Sequence, residues 1–430
     1  MDHPTVKRLF GTAVAAMLAA AVLGCGSKSD APEGDADAAK SADGTAVAAK
    51  SAAAAGGGAK SGPPTATAKG KSPAEDDPEP PAPPKKGTPQ WYVHEMLVLR
   101  LRKYPDKADL KRLRELRRER NLKIVKLAEE AIAVTSKDKS LQEVFNASVH
   151  HLLESRVALA LQGREEDIVA LYDLADVLYK RDKTSKSAAE AAYKVAVFAN
   201  TNAMRYPDPK SGWLPEFVRR ARLFATDFPR QKARAVELLD VAGRSCELHG
   251  RAADAITCYE QLIKQFPDMP QARYAAAVLR RLRLPGRPLE LAGQTLDGGF
   301  LDVKDYRGKV VLVAFWSTDR KECRETLPAL KQLGDRYKKF GFEIVGVNLD
   351  SEEPPVDEFL EKSKIGWPQI FYANRNKRRW DNPVVKYYAI RSVPTLWLVD
   401  PNGKLVDADA DPKKLEPKVR ALLQRRVSKR

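Results

Sequence analysis

The chain has 430 residues, 43% of them hydrophobic, and a mean hydropathy of −0.45. That length allows two or three domains with sizeable cores, and that polarity excludes a protein of several membrane spans. Lys and Arg number 74 against 57 Asp and Glu, a formal charge of +17 that suits an anionic partner: lipid headgroups, a cell-surface polymer or nucleic acid. The four cysteines exclude a disulfide-dense scaffold, and the five histidines include no H-x-x-x-H pair, so neither a histidine-built metal site nor a cofactor is expected.

Residues 1–25 read as a processing segment. Lys7 and Arg8 give a positive start, and Leu9 to Leu23 is apolar but short for a membrane span, which needs roughly 20 residues. Val22-Leu23-Gly24-Cys25 resembles a bacterial lipoprotein lipobox. That resemblance implies that Cys25 carries a lipid, that the lipid membrane is one partner, and that the protein sits in the bacterial envelope facing the periplasm. The residues alone leave a plain signal peptide or an N-terminal helix open. With this address the charge points to headgroups or wall polymers, and no nucleic acid is expected.

Residues 26–90 hold one Val (Val47) and no other large apolar residue, and close on Glu79-Pro80-Pro81-Ala82-Pro83-Pro84. Such a stretch cannot bury enough apolar area to offset its ordering entropy, so it reads as a disordered linker, stiffer towards its Pro-rich end.

Residues 91–284 show helical periodicity throughout. Leu97, Leu101, Leu110, Leu113, Leu116 and Leu127 mark apolar stripes. From Arg100 to Lys126 there are twelve basic residues and four acidic ones. This run reads as a solvated helix face, with an anionic-lipid patch as the alternative. Further on, Leu239, Gly243, Gly250, Ala255, Tyr259 and Pro267 resemble a tetratricopeptide repeat. The resemblance implies two antiparallel helices approaching at Gly243 and Ala255, a turn at Gly250 and a stop at Pro267. Cys246 and Leu262 depart from the repeat pattern. Tyr206-Pro207 and Phe228-Pro229 mark earlier helix ends. Stacked hairpins serve as binding surfaces, so an unidentified protein partner is assigned to this domain. Cys246 takes an inward place and Cys258 lies one residue off the inward face, so both read as buried thiols and not as a disulfide.

From residue 285 the period changes. Val310 to Trp316 and Phe342 to Val347 are continuous apolar runs, as buried strands require. A helix is expected between them, to about Phe340, and another from Val356 to about Lys364. Thr395 to Val399 is a strand, Asp400-Pro401-Asn402-Gly403 a turn, Lys404 to Val406 its hairpin partner, and Lys414 to Arg425 a closing helix. The order gives an α/β sandwich. The chain as a whole reads as multidomain: an all-α tetratricopeptide-like domain followed by an α/β domain.

Residues 285–430 resemble the thioredoxin-like superfamily, in its TlpA-like/redoxin branch. The resemblance rests on Leu296-Asp297-Gly298-Gly299, Asp305-Tyr306-Arg307-Gly308-Lys309-Val310-Val311, Phe315-Trp316-Ser317-Thr318 and Val393-Pro394-Thr395. It implies thiol redox chemistry and a cis-proline loop at Pro394 lining the active-site groove. Where the family has Trp-Cys-x-x-Cys, this chain has Asp319-Arg320-Lys321-Glu322-Cys323. Arg320 replaces the attacking cysteine and only Cys323 remains. The family's buried acid falls at Thr326, with Glu325 one place earlier.

Thiol exchange needs an attacking thiolate and a second thiol to resolve the mixed disulfide. Two readings follow. In one, Cys323 works as a single redox thiol, its thiolate favoured by a helix start and by Arg320, Lys321 and Arg324, with Pro394 shaping the groove. In the other, the protein is a non-catalytic binding module that uses the helical domain and the groove near Pro394, and Cys323 is a small buried hydrophobe.

Overall fold

The computed structural model describes residues 82–105 and 109–427. Cys25, the segment 1–25 and residues 26–81 of the expected linker lie outside the described residues.

Helix α1 (Pro89–Leu101) has Pro at its start and the Thr88 hydroxyl accepting from the Trp91 N–H. There follow α2 (Leu110–Thr135), α3 (Gln142–Ala160), α4 (Glu165–Arg181), α5 (Lys186–Arg205), α6 (Trp213–Asp227), α7 (Lys232–Leu248), α8 (Ala252–Gln265) and α9 (Pro270–Leu282). Each of these packs mainly on its sequence neighbours. Helices α5 and α6 end just before Tyr206-Pro207 and Phe228-Pro229, as the prolines require.

Two apolar cores run through this region. Met96, Ile124, Leu152, Leu153 and Phe198 lie in the first; Phe217, Phe224, Leu239, Tyr259 and Leu262 lie in the second. In the α7/α8 hairpin Gly250 takes a positive φ of 68° at the turn. A Cβ on Gly243 would come within 2.6 Å of the Tyr259 ring, so only glycine lets the ring lie there. Cys246 and Cys258 are free thiols, both fully buried. Both match the expectation of buried thiols without a disulfide, and α9 packs on α8 beside them.

The leucine stripes expected in α1 and α2 are also corrected. Leu97, Leu101 and Leu110 are exposed, and Leu113, Leu116 and Leu127 only half-buried. The buried face of α2 is Ile124, Val125, Ala128, Ala131 and Ile132. Long side chains set the periodicity in this stretch, but the residues that pack are the small and β-branched ones.

The C-terminal domain opens with a hairpin, β1 (Ala292–Gln294) against β2 (Phe300–Asp302). Its sheet has the order β5-β4-β3-β6-β7. Central β3 (Val310–Trp316) is buried at every residue, parallel to β4 (Phe342–Asn348) and antiparallel to β6 (Thr395–Val399). The hairpin strand β7 (Leu405–Asp407) completes one edge. Helices α10 (Lys321–Tyr337), α11 (Pro354–Lys362) and α13 (Leu415–Val427) match the expected helices within a few residues. Two elements were not expected from sequence: the two-residue strand β5 (Gln369–Ile370) and helix α12 (Pro383–Tyr388). Both are too short to show a period.

The two domains meet where α9 packs on α12. The Arg280 guanidinium donates to the Tyr387 carbonyl and lies over the Tyr387 ring. Arg281 donates to the Tyr388 carbonyl at 3.1 Å and pairs with Glu247 of α7. Arg391, three residues before Pro394, reaches back to Glu247 at 3.1 Å and to Tyr259 and Tyr274.

Candidate functional site

The site forms where β3 ends. Phe315 pairs with Thr395, so the segment after Trp316 lies beside the residue before Thr395, which is Pro394. The Val393–Pro394 bond is cis. On the other side of β3, Trp316 pairs with Asn348 of β4. Sheet register alone therefore brings the Ser317–Arg320 loop, the Pro394 loop and the end of β4 together, although they are far apart in sequence.

The loop is held from beneath by Asp350, a buried carboxylate just past β4. It accepts from the Thr318 N–H at 2.9 Å, the Thr318 hydroxyl at 2.6 Å and the Asn348 side-chain amide at 2.6 Å. Such donors compensate for taking a carboxylate out of water. The Trp316 indole N–H donates to Gln369 at 2.9 Å, and Gln369 lies so close over Gly346 that a Cβ there would meet its oxygen at 1.7 Å. Asp350, Gln369 and Gly346 were not singled out from sequence. For Asp350 a signal existed: in α/β sheets, sites lie beyond the carboxyl ends of the strands. At the place where the family has its buried acid, Thr326 is half-buried, and the neighbouring Glu325 is exposed.

Arg320 is the N-cap of α10, and its exposed side chain lies 3.7 Å from Asp319. Cys323, the third residue of α10, is fully buried and packs with Trp316, Leu327, Val356, Ile365 and Phe371, with Val393 alongside. Burial pushes its thiol up to about 11; Ser317 hydrogen bonding opposes this, and Glu322, Asp319 and Asp350 add to it. The expectation that nearby cations favour the thiolate is corrected by their geometry. Lys321 faces Glu325 and Arg324 donates to the Thr318 carbonyl. Helix start and cations act on charge near water, whereas the sulfur sits in an apolar cluster where ionisation is penalised. The structure thus places Arg320, Cys323 and Pro394 around one loop, with Arg320 facing solvent and Cys323 facing the core.

A central sheet with a cis-proline loop facing the start of the first long helix defines a thioredoxin-like domain. Residues 308–405 match the family described as Thioredoxin-like. The chain is similar to the thiol-disulfide oxidoreductase ResA of Bacillus cereus, 28% identical over 111 residues, covering 26% of this chain and 60% of that protein. It is likewise similar to ResA of Geobacillus thermodenitrificans, 34% identical over 110 residues, covering 26% of this chain and 59% of that protein. The chain thus spans about 60% of the length of the curated relatives it matches. Among solved structures, it is similar to the thioredoxin domain of a thiol-disulfide oxidoreductase from Bacteroides vulgatus, at 30% identity and a TM-score of 0.29, covering 31% of this chain and 94% of that one.

Proposed function

We propose that this chain is a lipid-anchored envelope protein whose thioredoxin-like groove, beside Pro394, grips an extended peptide segment without dithiol chemistry. The observation that carries this reading is the pairing of an exposed Arg320 at the attacking place with a fully buried Cys323. A guanidinium cannot attack a disulfide, and a thiol held at about 11 supplies little thiolate at neutral pH. The other two described thiols, Cys246 and Cys258, are buried in the helical domain and cannot resolve a mixed disulfide at this loop. The tetratricopeptide-like α7/α8 hairpin and its neighbours supply a second surface for the same protein partner. The anchor rests on Cys25 in its lipobox-like context, and Cys25→Ala should release the protein from a membrane fraction washed at high salt.

The competing reading is a one-thiol redox enzyme. Its support is the thiol-disulfide oxidoreductase activity carried in the names of the relatives. A dithiol-driven disulfide-reduction assay separates the two. The native chain should be inactive, and Arg320→Cys, which restores two cysteines at the family's spacing beside the Pro394 loop, should gain measurable activity. Native activity that vanishes in Cys323→Ser would sink the binding reading.

A further inference from the structure

The N-terminal end of the helical domain carries an apolar stripe that nothing in the described structure covers. On α1, Leu97 and Val98 are about half exposed at 45% and 47%, and Leu101, one turn on, is 80% exposed. Across the connection, Leu110 opens α2 at 84% exposure. The inner side of the same helix is ordinary: Met96 is fully buried, and Arg100 donates to His151 of α3 at 2.9 Å. Helix α1 therefore has two apolar sides, of which the bundle uses one. Single exposed apolar residues need no explanation, but four on one helix pair, three of them leucines, make a patch.

Cations ring this patch. Arg102, Lys103, Lys111, Arg114 and Arg117 are all exposed, and among the described acids of this stretch Asp109 caps α2 while Glu115 and Glu119 pair with Arg112. Tyr104 lies against Arg117 and Arg120, their guanidinium carbons 5.8 and 5.1 Å from its ring centre, which fixes part of the basic rim beside the leucines. Residues 26–81 hold Val47 as their one large apolar side chain.

We propose that this α1/α2 end is a membrane-surface site: the leucines enter the headgroup boundary of an anionic bilayer and the flanking Lys and Arg side chains pair with its phosphates. Apolar insertion together with basic flanks is the combination that holds helices in that interface. Each cation near an anionic surface contributes about fivefold in affinity. The site would hold the helical domain against the same membrane that the Cys25 anchor reaches, but it rests on its own observations and not on that anchor.

The test uses the full chain with Cys25→Ser and a bimane label on Leu101→Cys; the other three cysteines are buried and stay unlabelled. A control label is placed at exposed Glu361→Cys on α11. Quenching by lipid-borne quencher is read in phosphatidylcholine vesicles with and without phosphatidylglycerol. The expected result is stronger quenching at 101 than at 361 when phosphatidylglycerol is present, reversed by raised salt. With Lys111→Glu and Arg114→Glu together, the apparent affinity should fall by at least about 25-fold. Both positions are exposed, and an unchanged melting temperature will show that the variant folds. Quenching at 101 no greater than at 361 overturns the proposal, whether the chain stays off the vesicles or hangs from them by another segment. Protection of the stripe in a dimer without vesicles also overturns it. Failure of the anchor is seen separately, in the chain that keeps Cys25 and is purified from membranes, as the absence of a lipid mass on Cys25.

Discussion

At Cys323 two local effects compete. A helix N-terminus lowers a thiol's pKa, but full burial among Trp316, Leu327 and Phe371 raises it further, to about 11. Alkylation of Cys323 in the native chain at pH 8 should therefore run roughly two orders of magnitude slower than in denaturant. Mass spectrometry of labelled peptides against time will read this; equal rates would show that the sulfur is accessible. Folding holds the proton on this sulfur more tightly than the unfolded chain does. The stability that follows is fully present below the unfolded thiol pKa of about 8.5 and is lost as pH rises from there through about 11. Cys246 and Cys258, pushed by burial to about 12, act with the same sign. Melting temperature should accordingly fall above pH 9, and less so in Cys323→Ser.

Among the elements, the α7/α8 hairpin shows how small residues set geometry. Ala255 is fully buried in the second helical core, in a helix that packs on α7, and Gly243 admits the Tyr259 ring. Ala255→Leu should overpack this contact and cost on the order of 1–3 kcal/mol, read as a lower urea midpoint at unchanged slope. An unchanged midpoint would mean that the two helices have room to part. The hairpin was legible because glycine, alanine and proline at fixed spacing carry a steric meaning. The leucine stripes of α1 and α2 misled because a leucine in a polar helix marks an apolar side chain, not a neighbour to bury it. Strand β5 and helix α12 were not legible: their order comes from pairing with β4 and from packing on α9.

Across the whole molecule, one side chain ties the domains together. Glu247 of α7 accepts from Tyr259, pairs with Arg281 of α9 and pairs with Arg391 on the loop that leads to Pro394. Beside it an open cavity of about 550 Å³ is lined by Asp240, Arg244, Tyr274 and Arg391. The helical domain therefore ties down Arg391 on the loop that leads to Pro394. Glu247→Ala leaves two guanidinium groups without their carboxylate and should cost on the order of 3 kcal/mol. Calorimetry should resolve two transitions in the variant where the native chain gives one. A single transition at the native temperature would mean that α9 and α12, with the Arg280 and Arg281 hydrogen bonds, hold the domains without Glu247.

Sequence by itself determined the succession of helical and α/β domains, because periodicity and punctuation are properties of neighbours along the chain. It determined as well that Arg320, and not a cysteine, stands three residues before Cys323. The tertiary structure decided what Cys323 is, because burial depends on side chains brought from α11, from the segment before β5 and from Phe371 just after it. It also decided that Asp350 and Gln369 brace the site and that Glu247 reaches the Pro394 loop. Each of those contacts joins residues that only sheet register and domain docking bring together, and no local pattern encodes them.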